Sequence, residues 1–161
     1  MEIRQLTPSD VAGVLKVQKE AYLPQLLEGV ETFLNKMLLF PRGVFGCLVN
    51  GELCAYVFYH PWTRDAVVPL DHPIAELPLK PDCMYIHDLA VSPACQGQGI
   101  ARRLLEQVFT VGDSLGLYTY SLIAVQSSEA FWQRFGFRAV SNLEYVPGVP
   151  GTRMILERAK L

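Results

Sequence analysis

The sequence predicts one mixed α/β (α+β) domain, in which helices flank a single sheet. Short apolar, β-branched runs alternate with stretches that repeat apolar residues at helical spacing, in the order β-α-α-β-β-loop-β-α-β-α-β-β. Asn50-Gly51 separates the apolar runs 44–49 and 53–59, and this dipeptide is a strong hairpin signal because both residues tolerate positive φ. The length of 161 residues fits one domain, which we expect over 1–161.

The composition excludes several classes of protein. Hydrophobic residues make up 50% of the chain and charged residues 19%, which excludes a disordered chain. The 14 basic and 16 acidic residues give no basic excess, so we expect no nucleic-acid partner. No run of about 18 apolar residues is present, so we expect no membrane span. The N-terminus lacks the apolar core of a signal peptide, and we expect a cytoplasmic protein.

The first half of the chain contains two helices and an unusual loop. Residues 3–6 are predicted as a strand, 7–10 as a helix start, and 30–38 carry a second helical stripe. Residues 61–81 contain five prolines, which exclude regular helix or central strand. The same segment contains many apolar residues, so we expect it to fold over the rest of the domain.

The segment 84–111 combines a strand, a glycine-rich turn and a helix. The strand covers 84–91, and the helix that follows the turn is closed by Gly116. Gly97 and Gly99 allow the backbone to turn into the helix, where free amides can converge on an anion such as a phosphate. Such turns also occur for purely steric reasons, and the pattern is neither a P-loop nor the dinucleotide-binding fingerprint.

The remaining elements are a strand over 117–125, a short helix and two closing strands over 137–145 and 153–157. Ser127 or Ser128 can cap the short helix, which ends near Gly136.

Two segments resemble motifs of the GNAT superfamily of N-acetyltransferases. H-D-L-A-V-S-P-A-C-Q-G-Q-G-I-A-R-R-L-L contains the acyl-CoA hallmark Q/R-x-x-G-x-G/A as Gln96, Gly99 and Ala101, after a strand that ends L-A-V-x-P. A-F-W-Q-R-F-G-F, residues 130–137, resembles the short helix of the family and its aromatic-x-x-x-Gly-Phe ending. The resemblance covers roughly 84–140.

This resemblance implies a GNAT-type fold with a mixed, mostly antiparallel sheet that is splayed between its fourth and fifth strands. It implies acetyl-CoA as cosubstrate. No metal is expected, because the four cysteines lack the spacing of a zinc site. The backbone of Leu89, Ala90 and Val91 would hold the pantetheine and thioester, and Trp132 would pack against the coenzyme or the core. The pyrophosphate would be held by the turn and the first helical residues, namely Gln96, Gly97, Gln98, Gly99, Ile100, Ala101 and Arg102.

The implied reaction is direct attack of a primary amine on the thioester, which needs a proton acceptor. Strand alternation places Tyr85, His87 and Leu89 on one face, and Asp88 on the other unless a bulge changes the facing. His87 is a candidate base because imidazole titrates near neutral pH, and its H-x-L-A-V context resembles the arylalkylamine branch. The alternatives are a hydrogen-bonded strand histidine, or Asp88 as the carboxylate that takes the proton.

The group that protonates the leaving thiolate is left open. Many family members have a tyrosine where this chain has Trp132, and an indole N–H is not a usable acid. Either the thiolate leaves unassisted, or a hydroxyl of Tyr120, Ser127 or Ser128 serves.

The acceptor is expected to be a small apolar or aryl-alkyl amine. In the family the acceptor side is formed by the first helices and the variable loops, which here supply Tyr22, Leu26, Leu27, Phe33, His60, Pro61 and Trp62. These side chains equally suit the core. The competing hypotheses are a protein or peptide acetyltransferase, a non-catalytic acyl-CoA-binding module and a nucleotide-binding domain. Dimers are frequent in the superfamily, so a homodimer is a further expectation.

Overall fold

The structure is a computed structural model that describes residues 1–160. The strands are β1 (Glu2–Gln5), β2 (Val44–Val49), β3 (Glu52–Trp62), β4 (Cys83–Val91), β5 (Thr119–Ala124), β6 (Arg138–Val146) and β7 (Val149–Glu157). The helices are α1 (Val11–Ala21), α2 (Val30–Leu39), α3 (Ile100–Leu115) and α4 (Glu129–Gln133). These elements confirm the predicted order, with boundaries that differ by a few residues.

All seven strands form one sheet in the order β1-β2-β3-β4-β5-β7-β6. Every neighbouring pair is antiparallel except β4 and β5, which are parallel. The parallel pair is joined at only two positions, Met84 opposite Tyr120 and Tyr85 opposite Ser121. Beyond these positions the two strands separate, which confirms the predicted splay.

The helices cover both faces of the sheet. On one face α1 and α2 pack side chains such as Val14 and Phe33 against Tyr56 and Phe58 of β3. On the other face α3 packs its apolar stripe against the sheet core, and α4 contributes Trp132 to the same cluster. The predicted end of α3 is confirmed, since Gly116 has φ +71° at the position where the helix stops.

A β-bulge interrupts the pairing of β3 and β4. Phe58 lies opposite Asp88, but the next residue, Tyr59, lies opposite Ile86, so His87 is an extra residue on β4. The predicted alternation holds for Tyr85 and His87 but is wrong from Asp88 onward, because the bulge that the sequence analysis left open is present. The extra residue turns both His87 and Asp88 toward the α1–α2 face, where they contact side chains from the α1–α2 connection and from β3.

The proline-rich loop folds over the sheet, as predicted. Val68 and Ile74 are buried against Tyr85 of β4. Asp71 fastens the loop to the start of α2, because its Oδ1 accepts hydrogen bonds from Gly29 N and Thr32 Oγ1, both at 2.8 Å.

The predicted start of this loop is wrong by two residues. Pro61 and Trp62 belong to β3, and Pro61 pairs with Met84. Proline is tolerated here because β2 begins only at Val44, opposite Phe58. The end of β3 beyond Phe58 has no strand on that side, so its backbone needs no N–H there.

Within residues 1–160, none of the helices combines the length and the apolar character that crossing a membrane requires.

Helix α3 fits closely over β5, and we predict that this contact tolerates no added atom. A Cβ at Gly112 would collide with the Tyr120 hydroxyl and would lie 2.9 Å from the Cζ atom of that ring. Gly112→Ala should lower the free energy of unfolding by about 1–3 kcal/mol, as overpacking does. Tyr120→Phe removes the colliding hydroxyl, so it should recover part of that loss in the double variant. Urea unfolding measures both values, and an equal loss with and without the hydroxyl would contradict the predicted collision.

Candidate active site

A cavity of about 650 Å³ occupies the gap between the separated ends of β4 and β5. It is lined by both strands, by the turn that enters α3 and the first residues of that helix, and by α4. The connection between α1 and α2 (residues 22–29), the proline-rich loop and β6 supply further lining side chains. The cavity therefore depends on residues from nearly the whole length of the chain.

The structure brings the predicted site residues together at this cavity, with one exception. Gln98 is exposed and does not line it. The residues that do are His87, Asp88, Leu89, Ala90, Val91, Gln96, Gly97, Gly99, Ile100, Ala101, Arg102 and Trp132.

The glycine-rich turn presents backbone amides to one end of the cavity. Gly97 and Gly99 have φ values of +77° and +75°, a region that favours glycine. The amide of Arg103 bonds Gly99 O at 3.2 Å, so the amides of Ile100, Ala101 and Arg102 precede the first bond of the helical ladder. These amides and the helix dipole make this end of the cavity suited to an anion.

Two guanidinium groups add positive charge at the same end. Arg102 lies 5.1 Å from the centre of the Phe135 ring, and Arg134 lies 5.5 Å from that of Phe131. Trp132 is 7% exposed and packs edge-to-face with neighbouring aromatic rings, so it serves as a cavity wall and as core. An anion at the turn would meet both the amides and these cations.

The α1–α2 connection is tied to both strands that border the cavity. The Tyr22 hydroxyl donates to Leu89 O on β4 at 2.8 Å. At the end of β5, Gln126 Oε1 accepts from Leu23 N at 2.8 Å, and its Nε2 donates to Ala21 O at 3.3 Å. The connection therefore crosses from one strand to the other.

Asp88 is a buried carboxylate with an altered proton affinity. Tyr56 donates its hydroxyl to Asp88 Oδ2 at 2.7 Å. Burial raises the pKa of Asp88 to about 6, and the nearby Glu28 charge acts in the same direction. Asp88 lines the cavity, so a carboxylate that is ionised at neutral pH faces its interior.

His87 does not stand alone, because its ring is paired with Glu28. The His87 Nε2 atom lies 2.9 Å from Oε1 and 3.0 Å from Oε2 of Glu28. The His87 side chain is 1% exposed and that of Glu28 is 2% exposed. The His87 Nδ1 atom is buried and has no hydrogen-bond partner within residues 1–160. His87 is therefore hydrogen-bonded through Nε2, as the alternative of a hydrogen-bonded strand histidine requires.

Burial alone would raise the pKa of Glu28, but contact with His87, the charge of Lys36 and the hydrogen bond from the Asp71 amide together outweigh that effect and lower it. The same buried region contains the ammonium group of Lys36, a residue that is 4% exposed. Burial lowers the pKa of Lys36 against the opposing charges of Glu28, Asp88 and Asp71.

Sequence reasoning missed Glu28 and Tyr145. Tyr145 reaches the cavity from β6, and burial raises its pKa. Neither residue lies in a recognisable motif, and only the tertiary contacts assign them to the site.

Of the hydroxyl groups considered as proton donors, only that of Ser128 belongs to a residue that lines the cavity. Tyr120 is turned toward α3 and donates to Leu117 O at 3.3 Å. On the predicted acceptor side Tyr22 and Leu26 line the cavity, and the proline-rich loop adds Leu70. The other predicted acceptor residues, Leu27, Phe33, His60, Pro61 and Trp62, do not line it.

Metal coordination has no candidate centre in the described part of the chain. No group of three or more His, Cys, Asp or Glu residues within residues 1–160 is arranged to hold a metal ion.

Comparison with known proteins agrees with this geometry. The sequence model of the acetyltransferase (GNAT) family matches residues 13–137. Serotonin N-acetyltransferase of Macaca mulatta is 25% identical over 150 residues, which cover 86% of this chain and 69% of that protein.

Two solved structures share the fold. The GphF GNAT-like decarboxylase in complex with isobutyryl-CoA superposes with a TM-score of 0.81 at 15% identity, over 98% of this chain and 99% of that chain. The ribosomal-protein-S18-alanine N-acetyltransferase from Escherichia coli gives a TM-score of 0.73 at 21% identity, over 97% and 92% of the two chains. Since the family match extends from α1 through the turn and both strands that border the cavity, this chain belongs to the acetyltransferase (GNAT) family.

Proposed function

We propose that the protein is an acetyl-CoA-dependent N-acetyltransferase that transfers the acetyl group directly to a primary amine of a small apolar or aryl-alkyl molecule. The observation that carries the proposal is one cavity with anion-binding amides at the glycine-rich turn and a poised carboxylate, Asp88, on β4. The similarity to serotonin N-acetyltransferase and to a fold relative that holds isobutyryl-CoA supports it.

The coenzyme fits the cavity in one direction. Its diphosphate belongs at the amides of residues 97–102, close to the guanidinium groups of Arg102 and Arg134. The pantetheine arm would then follow the edge of β4 that β5 leaves unpaired, where Leu89, Ala90 and Val91 line the cavity. A backbone amide near Leu89 would polarise the thioester carbonyl as negative charge develops on its oxygen.

Asp88 is the proton acceptor in this proposal. The ammonium group of the acceptor gives one proton to the Asp88 carboxylate, and the free amine attacks the thioester carbon. The carbon–sulfur bond breaks, and the thiolate of the coenzyme takes the second proton from the new amide nitrogen and leaves as the free thiol. Tyr145 lines the same cavity, and its hydroxyl is our candidate for a hydrogen bond to the leaving sulfur.

The acceptor side favours a small cationic molecule over a peptide. The α1–α2 connection is hydrogen-bonded to both β4 and the end of β5, and this narrows the path by which an acceptor can enter the cavity. Tyr22, Leu26 and Leu70 supply an apolar and aromatic lining, while Glu28 and Asp88 supply negative charge. An ammonium group on a short apolar body matches this combination.

The direct test is release of free thiol from acetyl-CoA with a panel of aryl-alkyl amines, polyamines, amino acids and peptides. We expect the highest kcat/KM with aryl-alkyl amines and little turnover with peptides. Turnover with peptides alone would instead support a protein acetyltransferase. Calorimetric binding of CoA without turnover of any amine would support a non-catalytic module, and binding of ATP or NAD in place of CoA would support a nucleotide-binding domain.

The pH dependence of the reaction should report the Asp88 carboxylate. A base must be ionised to accept a proton, so kcat/KM should rise with pH through about 6 and be lost below it. Asp88→Asn should lower kcat/KM by about 10²–10⁴-fold and remove this acidic limb, as loss of a general base does. If His87→Gln removes the limb while Asp88→Asn keeps it, the base is His87 and the assignment is wrong.

A matched pair of glycines tests the diphosphate position. Gly99 and Gly116 lie at the two ends of α3 with φ values of +75° and +71°, and a Cβ at either position would meet open space. Alanine at either position should therefore cost about 1 kcal/mol of stability. Only Gly99→Ala should also weaken binding of acetyl-CoA, by about tenfold, or about 1.4 kcal/mol. Calorimetry measures the affinity, and equal affinities for the two variants would place the diphosphate elsewhere.

A further inference from the structure

Glu28 joins three elements of the fold at one buried carboxylate. Both of its carboxylate oxygens contact His87 Nε2 on β4, at 2.9 and 3.0 Å. The amide of Asp71 in the proline-rich loop donates to Glu28 Oε2 at 2.8 Å. Its own backbone lies in the α1–α2 connection. The carboxylate therefore links this connection, the loop and the catalytic strand.

The backbone of Glu28 is also held in place. Gln18 of α1 donates its Nε2 to Glu28 O at 2.7 Å, and its Oε1 accepts the Glu28 amide at 3.1 Å. Gln18 is itself 4% exposed. With both its main chain and its carboxylate fixed, Glu28 has little freedom to move relative to His87.

A gain in folding stability alone does not explain why His87 and Glu28 are paired in the interior. A buried pair of ionisable groups loses hydration on both sides, and an apolar pair of similar volume is often as stable or more stable. The His87–Glu28 pair also lies at the bulge that turns Asp88 into the cavity. A buried polar contact at a bulge, next to the proton acceptor, is suited to fixing the orientation of that acceptor.

The neighbours of the pair form a crowded polar cluster, which any pH experiment must take into account. The charged and titratable groups that face it are Lys36 from α2, Asp71 from the loop, Tyr56 and His60 from β3, Tyr85 and Asp88 from β4, Tyr145 from β6 and Tyr22 from the α1–α2 connection.

We propose that Glu28 is the positioning residue of this active site: it accepts the Nε2–H of His87, fixes the ring and its tautomer, and through the bulge aims the Asp88 carboxylate at the acceptor amine. The inference rests on the proposed acetyl transfer. Glu28 lines the cavity and contributes negative charge there, but its carboxylate oxygens are bonded to His87 and to the Asp71 amide, so the proposal assigns it no hydrogen bond to the substrate and lets it act through His87. In the neutral ring Nε2 carries the proton, and the unpartnered Nδ1 does not.

The first experiment reads the tautomer without any need for activity. The chain contains only three histidines, His60, His72 and His87, so long-range ¹⁵N–¹H spectra are simple, and His87→Gln identifies the His87 signals. In the wild type, the neutral His87 ring should show a protonated Nε2 and an unprotonated Nδ1. Glu28→Met, which keeps the length but removes the acceptor, should abolish this single pattern. An unchanged His87 pattern in Glu28→Met would overturn the proposal.

The second experiment separates positioning from stability with a matched carboxylate. Asp10 accepts two hydrogen bonds from the Arg4 guanidinium, both at 2.9 Å, and one from Thr7 N at 2.8 Å, and it does not line the cavity. Asp10→Asn should therefore destabilise the protein while leaving kcat unchanged. Glu28→Met should lower kcat by about 10–100-fold, the loss typical when a group that orients a histidine is removed, with KM for acetyl-CoA unchanged.

Glu28→Gln keeps one acceptor oxygen for His87, so its kcat should fall between those of the wild type and Glu28→Met. This variant allows the test even if the methionine variant does not fold. Equal kcat values for Glu28→Gln and the wild type, or equal losses for Glu28→Met and Asp10→Asn, would contradict the positioning role. Absence of turnover by the wild type with every amine would instead refute the proposed function, and the His87 spectra would still decide the role of Glu28.

Discussion

The early end of the β4–β5 pairing is the constraint on which the rest of the site depends. Parallel strands that continued side by side would satisfy their backbone groups mutually, but these two strands pair at two positions only. The remaining edge of β4 therefore presents backbone donors and acceptors that need partners. Leu89 O has one in the Tyr22 hydroxyl. The rest of this edge is where an extended ligand can add its own hydrogen bonds, in the manner of an additional strand.

Energetically unfavourable backbone conformations and buried charged groups border this gap. Gln126 and Ser127 at the end of β5 both have positive φ, which is unfavourable for residues other than glycine. The Gln126 side chain offsets that cost with one hydrogen bond to the α1–α2 connection and one to the last residue of α1. On the opposite border of the gap, the bulge at His87 and the buried Glu28 carboxylate hold a polar cluster against the apolar face of α1 and α2. Strained backbone and buried charge therefore meet at the two borders of the cavity.

Local signals in the sequence were sufficient for most of the fold. The Asn50-Gly51 hairpin, the glycine-rich turn and the end of α3 at Gly116 each depend on backbone conformations that few residues adopt, so their residue types predict them directly. The His87 bulge carries no such signal, because it is an offset between two strands whose residues all suit extended backbone. Strict alternation therefore placed Asp88 on the wrong face.

Contacts across long sequence separations explain what else was missed. Glu28 and His87 are 59 residues apart, and neither the spacing nor the surrounding residues of Glu28 indicate their contact. Tyr120 was a candidate acid because of its neighbourhood in sequence, yet its ring packs beneath α3.

Backbone hydrogen exchange with and without acetyl-CoA tests the central claim most directly, because it reports the amides that the proposed coenzyme would engage. We predict slower exchange at residues 97–102 and along the unpaired part of β4 when acetyl-CoA is bound, with no change in β1, which lies at an outer edge of the same sheet and supplies no residue to the cavity. Unchanged exchange at the turn and at β4 under saturating acetyl-CoA, or protection confined to another part of the chain, would contradict the account.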